Sequence, residues 1–153
     1  MNDVKKAAVS HKIKKGYLFD QLTKILYVNS NNFSERVLMP MVRDFPPVYN
    51  KAKTIVFDKN VTKISPKAFR DFTALKEIKI PKQITEIGTC AFQNCESLTS
   101  VIIENENIEL RNAYDAFKNC GKITFKVGQK LKGLLTEDQL TFMNCHDAKV
   151  IVI

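Results

Sequence analysis

The sequence predicts an α/β repeat fold: a solenoid of coils about 23–25 residues long, each with one short parallel β-strand and a short helical turn on the opposite side. Two observations point there. Strand-like runs recur at a fixed step, and an Ala-Phe pair followed by an apolar residue recurs with them. A third observation, 44% hydrophobic and 26% charged residues in a chain of 153, places the sequence among globular rather than disordered chains.

The strand-like runs are TIVF at 54–57, EIKI at 77–80 and SVII at 100–103, so Ile55, Ile78 and Val101 stand 23 residues apart. Phe57, Ile80 and Ile103 follow the same step, as do Ile64, Ile87 and Leu110. Ala68-Phe69 becomes Ala91-Phe92, and Phe72 stands where Cys95 stands one unit later. The third unit gains two residues, placing Ala116, Phe117 and Cys120 25 beyond their counterparts, and Phe142 and Cys145 lie a further 25 on. The tail CHDAKVIVI is read against CESLTSVII, which sets Ile151 and Ile153 in the inward positions of Val101 and Ile103. Residues 53–153 are thus expected to hold about four coils and a final strand. One unit offers only a handful of inward groups, such as Ile78, Ile80, Ile84, Ile87, Phe92 and Leu98. That is too little apolar burial to order a coil alone, so each must be buried by its neighbours. A period of 20–29 residues with one strand each is the pattern of leucine-rich-repeat architectures.

Local signals agree with this division. Pro81 ends the strand EIKI because it has no N–H to donate. Ser65-Pro66 reads as an N-cap with Pro at the first helical position, so SPKAFRDF is expected to open a short helix. Asn112 with Asp115, and Thr136 with Gln139, are cap-like pairs opening the equivalent helices of the third and fourth units. Ile123 aligns with either Leu98 or Val101.

Cys95, Cys120 and Cys145 occupy one repeat position, with Phe72 in the same slot of the first unit. A slot accepting either residue selects for apolar bulk, since a free thiol packs as a small hydrophobe. Disulfide and metal ligand are the alternatives, but no CxxC spacing occurs and the histidines are His11 and His146. Cys90, after Gly88, is the thiol expected to be exposed.

Ahead of the repeats, residues 1–15 read as a basic tail and 16–52 as a hairpin and irregular N-terminal cap. Within the cap, SERVLMPMV reads as a short helix interrupted by Pro40, and Phe45-Pro46-Pro47 as an extended connector.

LKEIKIPKQITEIGTCAFQNCES (75–97) resembles, nearly position by position, the consensus LxxIxIPxxVTxIGxxAFxxCxx of BspA-like leucine-rich repeats. KTIVFDKNVTKISPKAFRDFTA (53–74) is similar, and GYLFDQLTKILYV (16–28) resembles the hairpin that often interrupts such arrays. The resemblance is strong over 53–122 and weaker at 16–28 and 123–153. It implies a binding module, since members are commonly cell-surface proteins implicated in adhesion; it names no ligand.

In such a fold alternate strand residues face outward. The expected partner-binding face comprises Thr54, Glu77, Ser100 and Val150 in one column, and Val56, Lys79, Ile102 and Val152 in the next. Asp58, Pro81 and Glu104 form a third column. Ile151 and Ile153, on an apolar last strand, mark a possible edge for self-association.

The net charge of +8 comes wholly from residues 1–24 and 51–74, each contributing +4. The alternative function is therefore a basic module that binds nucleic acid or an anionic membrane through its Lys-rich N-terminal half. An enzyme is not expected: no GxGxxG, phosphate loop, GxSxG or metal-spaced His/Asp/Glu cluster occurs, and no cofactor or metal is implied. His146 beside Cys145 reads as a surface residue, because neighbours on a short helix point different ways. Asn32-Phe33-Ser34 and Asn60-Val61-Thr62 fit the glycosylation sequon, a pattern frequent by chance. Neither a signal-type h-region near the start nor an apolar run of about 18 residues is present. The location is expected to be cytoplasmic, or at the cell surface by a route not visible in this sequence.

Overall fold

The computed structural model describes residues 16–33 and 48–153. The expected basic tail, the SERVLMPMV helix and the Phe45-Pro46-Pro47 connector lie outside the described residues.

The first element is an antiparallel hairpin, β1 (Tyr17–Asp20) and β2 (Ile25–Val28). Asp20 closes its turn: Oδ1 accepts from the Leu22 N–H at 2.9 Å and the Thr23 N–H at 3.2 Å, while Lys24 takes a left-handed φ of 59°. After a 3₁₀ turn (Val48–Asn50), β3 (Thr54–Phe57) pairs with β2 in parallel, Leu26 opposite Ile55. The hairpin is therefore hydrogen-bonded to the first strand of the repeats and covers its edge.

Each of the first two repeats adds a short second strand beyond its first. β4 (Lys63–Ile64) pairs with β6 (Glu86–Ile87), and an isolated bridge continues from Glu86 to Glu109. The main sheet runs β5 (Glu77–Ile80), β7 (Ser100–Ile103), β8 (Thr124–Val127) and β9 (Lys149–Val152), all parallel. β3 lies beside β5, yet the two belong to separate ladders. The parallel stack predicted from the 23-residue step is present, divided at that join.

Opposite the sheet, the expected short helices of the first three repeats are absent. Residues 66–71 form turns, with Lys67 at φ 57° and Asp71 at φ 64°. The same pair of left-handed positions recurs at Cys90 and Asn94, and again at Asp115 and Asn119. Alternating backbone N–H groups thereby turn toward the next repeat: Lys67 donates to Thr89 O at 2.9 Å, Phe69 to Ala91 O at 2.8 Å and Asp71 to Gln93 O at 2.8 Å. A helix would have kept those donors inside its own turn; here they hold repeat to repeat. The Ser65 hydroxyl, expected as a helix cap, donates instead to the Asn31 carbonyl. The Asn112 amide reaches Glu86 Oε1 at 2.8 Å. Gly88 is required at its position, since a Cβ there would meet the Pro66 nitrogen at 2.5 Å.

Between the two sides run columns of apolar groups. Phe33, Phe69, Phe92 and Phe117 stack with centroid spacings of 5.2, 5.4 and 5.4 Å. Beside them lie Ile55, Ile78, Val101 and Phe125, all buried.

The last part of the array departs from the pattern. An unanticipated helix α1 (Gln129–Leu134) follows β8, its Lys130 N–H donating to Glu106 Oε2 of the preceding repeat at 2.8 Å. Helix α2 (Glu137–Phe142) forms as expected, with Thr136 accepting from the Gln139 N–H at 3.3 Å. Phe142 does not continue the phenylalanine column; it lies outside against Tyr114, with ring centroids 5.6 Å apart, and Met143 is the buried residue.

Candidate functional site

The outward positions of the main sheet form two columns. Glu77, Ser100, Thr124 and Lys149 pair across the strands, and beside them Lys79, Ile102, Lys126 and Ile151 do the same. Thr54 and Val56 lie at one end, on β3, both exposed. Of the residues the sequence pointed to, Glu77, Lys79, Ser100 and Ile102 stand together on this face.

Val150 and Val152 do not. They sit opposite Phe125 and Val127 in the inward columns, and Lys149 and Ile151 take the outward places. The cause is one missing residue. Six positions separate Phe72 from Ile78 and Cys95 from Val101, but only five separate Cys120 from Phe125 and Cys145 from Val150. A one-residue change of register exchanges the faces of a strand. The signal was available in the sequence, because CGKITFKV aligns with CHDAKVIV without a gap. Thr124 and Lys126 were missed for the same reason, and Ile123 takes the Leu98 position. Ile151 therefore lies on the sheet face as well as on the last strand, and the Ile153 N–H, one residue further on, donates to Val127 O at 3.1 Å.

The charges on the face answer one another. Lys79 Nζ is 2.8 Å from Glu104 Oε1. Glu77 Oε2 accepts from the Ser100 hydroxyl at 2.7 Å and lies 3.4 Å from Lys126 Nζ, two strands away. The Ser100 hydrogen bond holds the Glu77 carboxyl below the usual carboxylate range; burial opposes it, and Lys126 adds a lesser downward pull. Half-buried Ile102 lies among these pairs, with Val56 and Ile151 exposed toward either end. A small apolar centre edged by paired charges is a composition suited to a protein contact.

Two residues of the basic block at 51–74 have acidic neighbours. Lys63 stands opposite Glu86 in a column that continues to Glu109, and Arg70 Nε is 3.5 Å from Asp71 Oδ2.

On the turn side, Cys95 is buried, and its thiol donates to Phe69 O at 3.1 Å. Cys120 repeats that bond to Phe92 O at 3.1 Å. Cys145 bonds within its own repeat, to Leu140 O at 3.4 Å. Burial pushes the Cys145 thiol up to about 12, with the neighbouring Cys120 adding to the shift. Cys90 is half-buried and His146 exposed. All four cysteines are free thiols, and among the described residues no three His, Cys, Asp or Glu side chains are grouped to hold a metal.

Residues 48–153 match the family model of the BspA type leucine-rich repeat region, in six copies. No curated protein and no solved structure matches the chain.

Proposed function

We propose, from the premise that the chain belongs to the BspA-type leucine-rich repeat family, that it is a non-enzymatic protein-recognition module that meets its partner through the outward face of the sheet. The observation that carries this is the composition of the face: Val56, Ile102 and Ile151 offer apolar area, while the Glu77–Lys126 and Lys79–Glu104 pairs leave little free charge to attract a polyanion. The repeats continue one another as a solenoid, and the hairpin acts as the cap of its first strand. A host or cell-surface partner follows from the resemblance alone and is part of the proposal. The test is a photo-cross-linking residue placed at Ile102 and, in a second protein, at Asn119 on the turn side. Protein adducts specific to position 102 support the reading; adducts confined to position 119 refute it.

A second reading concerns self-association. Ile151, Val152 and Ile153 are 43%, 44% and 70% exposed, and an apolar strand edge invites another strand. Sedimentation of the reduced chain and of Ile151→Asp would show a salt-insensitive dimer lost in the variant. A monomer at every concentration would exclude it.

A further inference from the structure

The parallel pairing of β2 with β3 joins the two basic blocks of the sequence. Ile25 stands opposite Thr54, and the Lys53 N–H, one position earlier, donates to Lys24 O at 2.9 Å. Lys24 and Lys53 therefore sit side by side at the N-terminal ends of these strands. The 23-residue step puts Lys76 at the same point ahead of β5, which lies beside β3. Thr99 takes the position ahead of β7 and ends the run. The three lysines stand two residues before the inward Leu26, Ile55 and Ile78, so they share the parity of the core and not that of the outward face. They lie just past the core, where Lys53 and Lys76 are exposed and Lys24 is half-buried. No ion pair among the described residues uses any of the three. Two carboxylates adjoin the run, and both are engaged. Asp20 Oδ1 accepts from the Leu22 and Thr23 N–H groups, and Glu77 holds Ser100 and Lys126. The opposite rim of the sheet differs: there Asp58 adjoins Lys59, and Glu104 pairs with Lys79 at 2.8 Å.

We propose that Lys24, Lys53 and Lys76 form a docking line for a linear sulfated polysaccharide, laid across the strand ends along the axis of the stack. Neighbouring strands lie about 4.7–4.9 Å apart, so the three backbone positions span roughly 10 Å in single file. Lysine offers a compact point charge with three donors, which suits sulfate groups carried at intervals on a chain. Other polyanions fit less well. Single-stranded nucleic acid is held by rings that stack on its bases as well as by charge. The exposed aromatic rings among the described residues, Tyr114 and Phe142, pair with each other on the turn side of later repeats, away from this rim. An anionic bilayer calls for a broader cluster of about 4–8 basic residues, whereas this rim presents a narrow line.

The test uses the full chain and a fluorescently labelled heparin octasaccharide, with binding followed by anisotropy. Three charged contacts, each releasing about 0.7 of a counterion as on a flexible single strand, predict a roughly twentyfold loss of affinity between about 50 and about 200 mM salt. Lys53→Gln/Lys76→Gln is expected to lose about tenfold or more at the lower salt, since one exposed charge contact is worth up to about fivefold. Lys59→Gln/Lys82→Gln removes the same charge from the same two repeats at the opposite rim, where both side chains are also exposed. That control is expected to stay within about twofold of the parent, as exposed charges away from the contact contribute little. An oligothymidylate of equal charge and phosphatidylserine vesicles are each expected to bind the parent chain more weakly than the octasaccharide. The salt series and the comparison of probes require no substitution, so they do not depend on a variant folding. Equal losses in the two variants, an unchanged Lys53→Gln/Lys76→Gln, an affinity indifferent to salt, or tighter binding of the oligothymidylate or the vesicles would each overturn the assignment. None of these results bears on the sheet face as recognition surface.

Discussion

The thiol of Cys95 donates to the carbonyl oxygen of Phe69, 3.1 Å away in the preceding repeat, and Cys120 stands in the same relation to Phe92. The cysteine column is thus more than apolar filling, since each of these two thiols satisfies a carbonyl on the turn side.

Cys95→Ala is expected to destabilise the chain by about 1–3 kcal/mol, the cost of leaving a buried carbonyl without its donor. Urea unfolding of the variant beside Cys90→Ala, where no such bond exists, checks this. Equal midpoints would remove the role assigned to the thiol.

Cys90 pays for its left-handed backbone, φ 55°, at a position where a side chain with Cβ is disfavoured. Asn tolerates that conformation better. Cys90→Asn is expected to stabilise by about 0.5–1 kcal/mol, seen as a higher thermal midpoint. A lowered midpoint would mean that Cys90 packing matters more than its backbone.

Met143 and Phe142 separate the observed register from the one suggested by the sequence. Met143 is fully buried, whereas Phe142 is 37% exposed. Met143→Ala should cost about 2–5 kcal/mol and Phe142→Ala markedly less. The opposite order would restore Phe142 to the phenylalanine column.

The Cys145 thiol, pushed up to about 12 by burial and by Cys120, favours its neutral form in the folded chain. Its unfolded value is near 8.5, so the stability linked to it is complete below about pH 8.5 and is lost as pH rises toward 12. Unfolding free energy should therefore drop between pH 7 and pH 10 by more in the parent chain than in Cys145→Ser. Parallel profiles would contradict this.

Much of the fold was legible because the apolar period is strict where the strands are. Ile55, Ile78 and Val101 keep a step of 23 residues, and β3, β5 and β7 form there. The short helices were misread because Ser65-Pro66 and Asn112 carry the local chemistry of a helix start. The backbone donors of those segments are drawn to the neighbouring repeat, a long-range preference that no local pattern encodes. The face was legible at Glu77, Lys79, Ser100 and Ile102 and wrong at Val150 and Val152, where a single deleted position between Cys145 and the strand reverses inside and outside. Sheet positions are that sensitive because the side-chain period is two. The ion pair from Lys126 to Glu77 joins strands 49 residues apart in sequence, and only the folded stack shows it.

The sheet face is tested most directly by charge placed on it. The protein captured at position 102 would be titrated with the parent chain, with Val56→Glu/Ile102→Glu/Ile151→Glu, and with Lys63→Glu/Lys67→Glu. The face variant is expected to lose at least about tenfold in affinity, equivalent to about 1.4 kcal/mol, while the lysine variant stays close to the parent. A lysine variant that loses binding while the face variant retains it would contradict the account and assign recognition to the basic region.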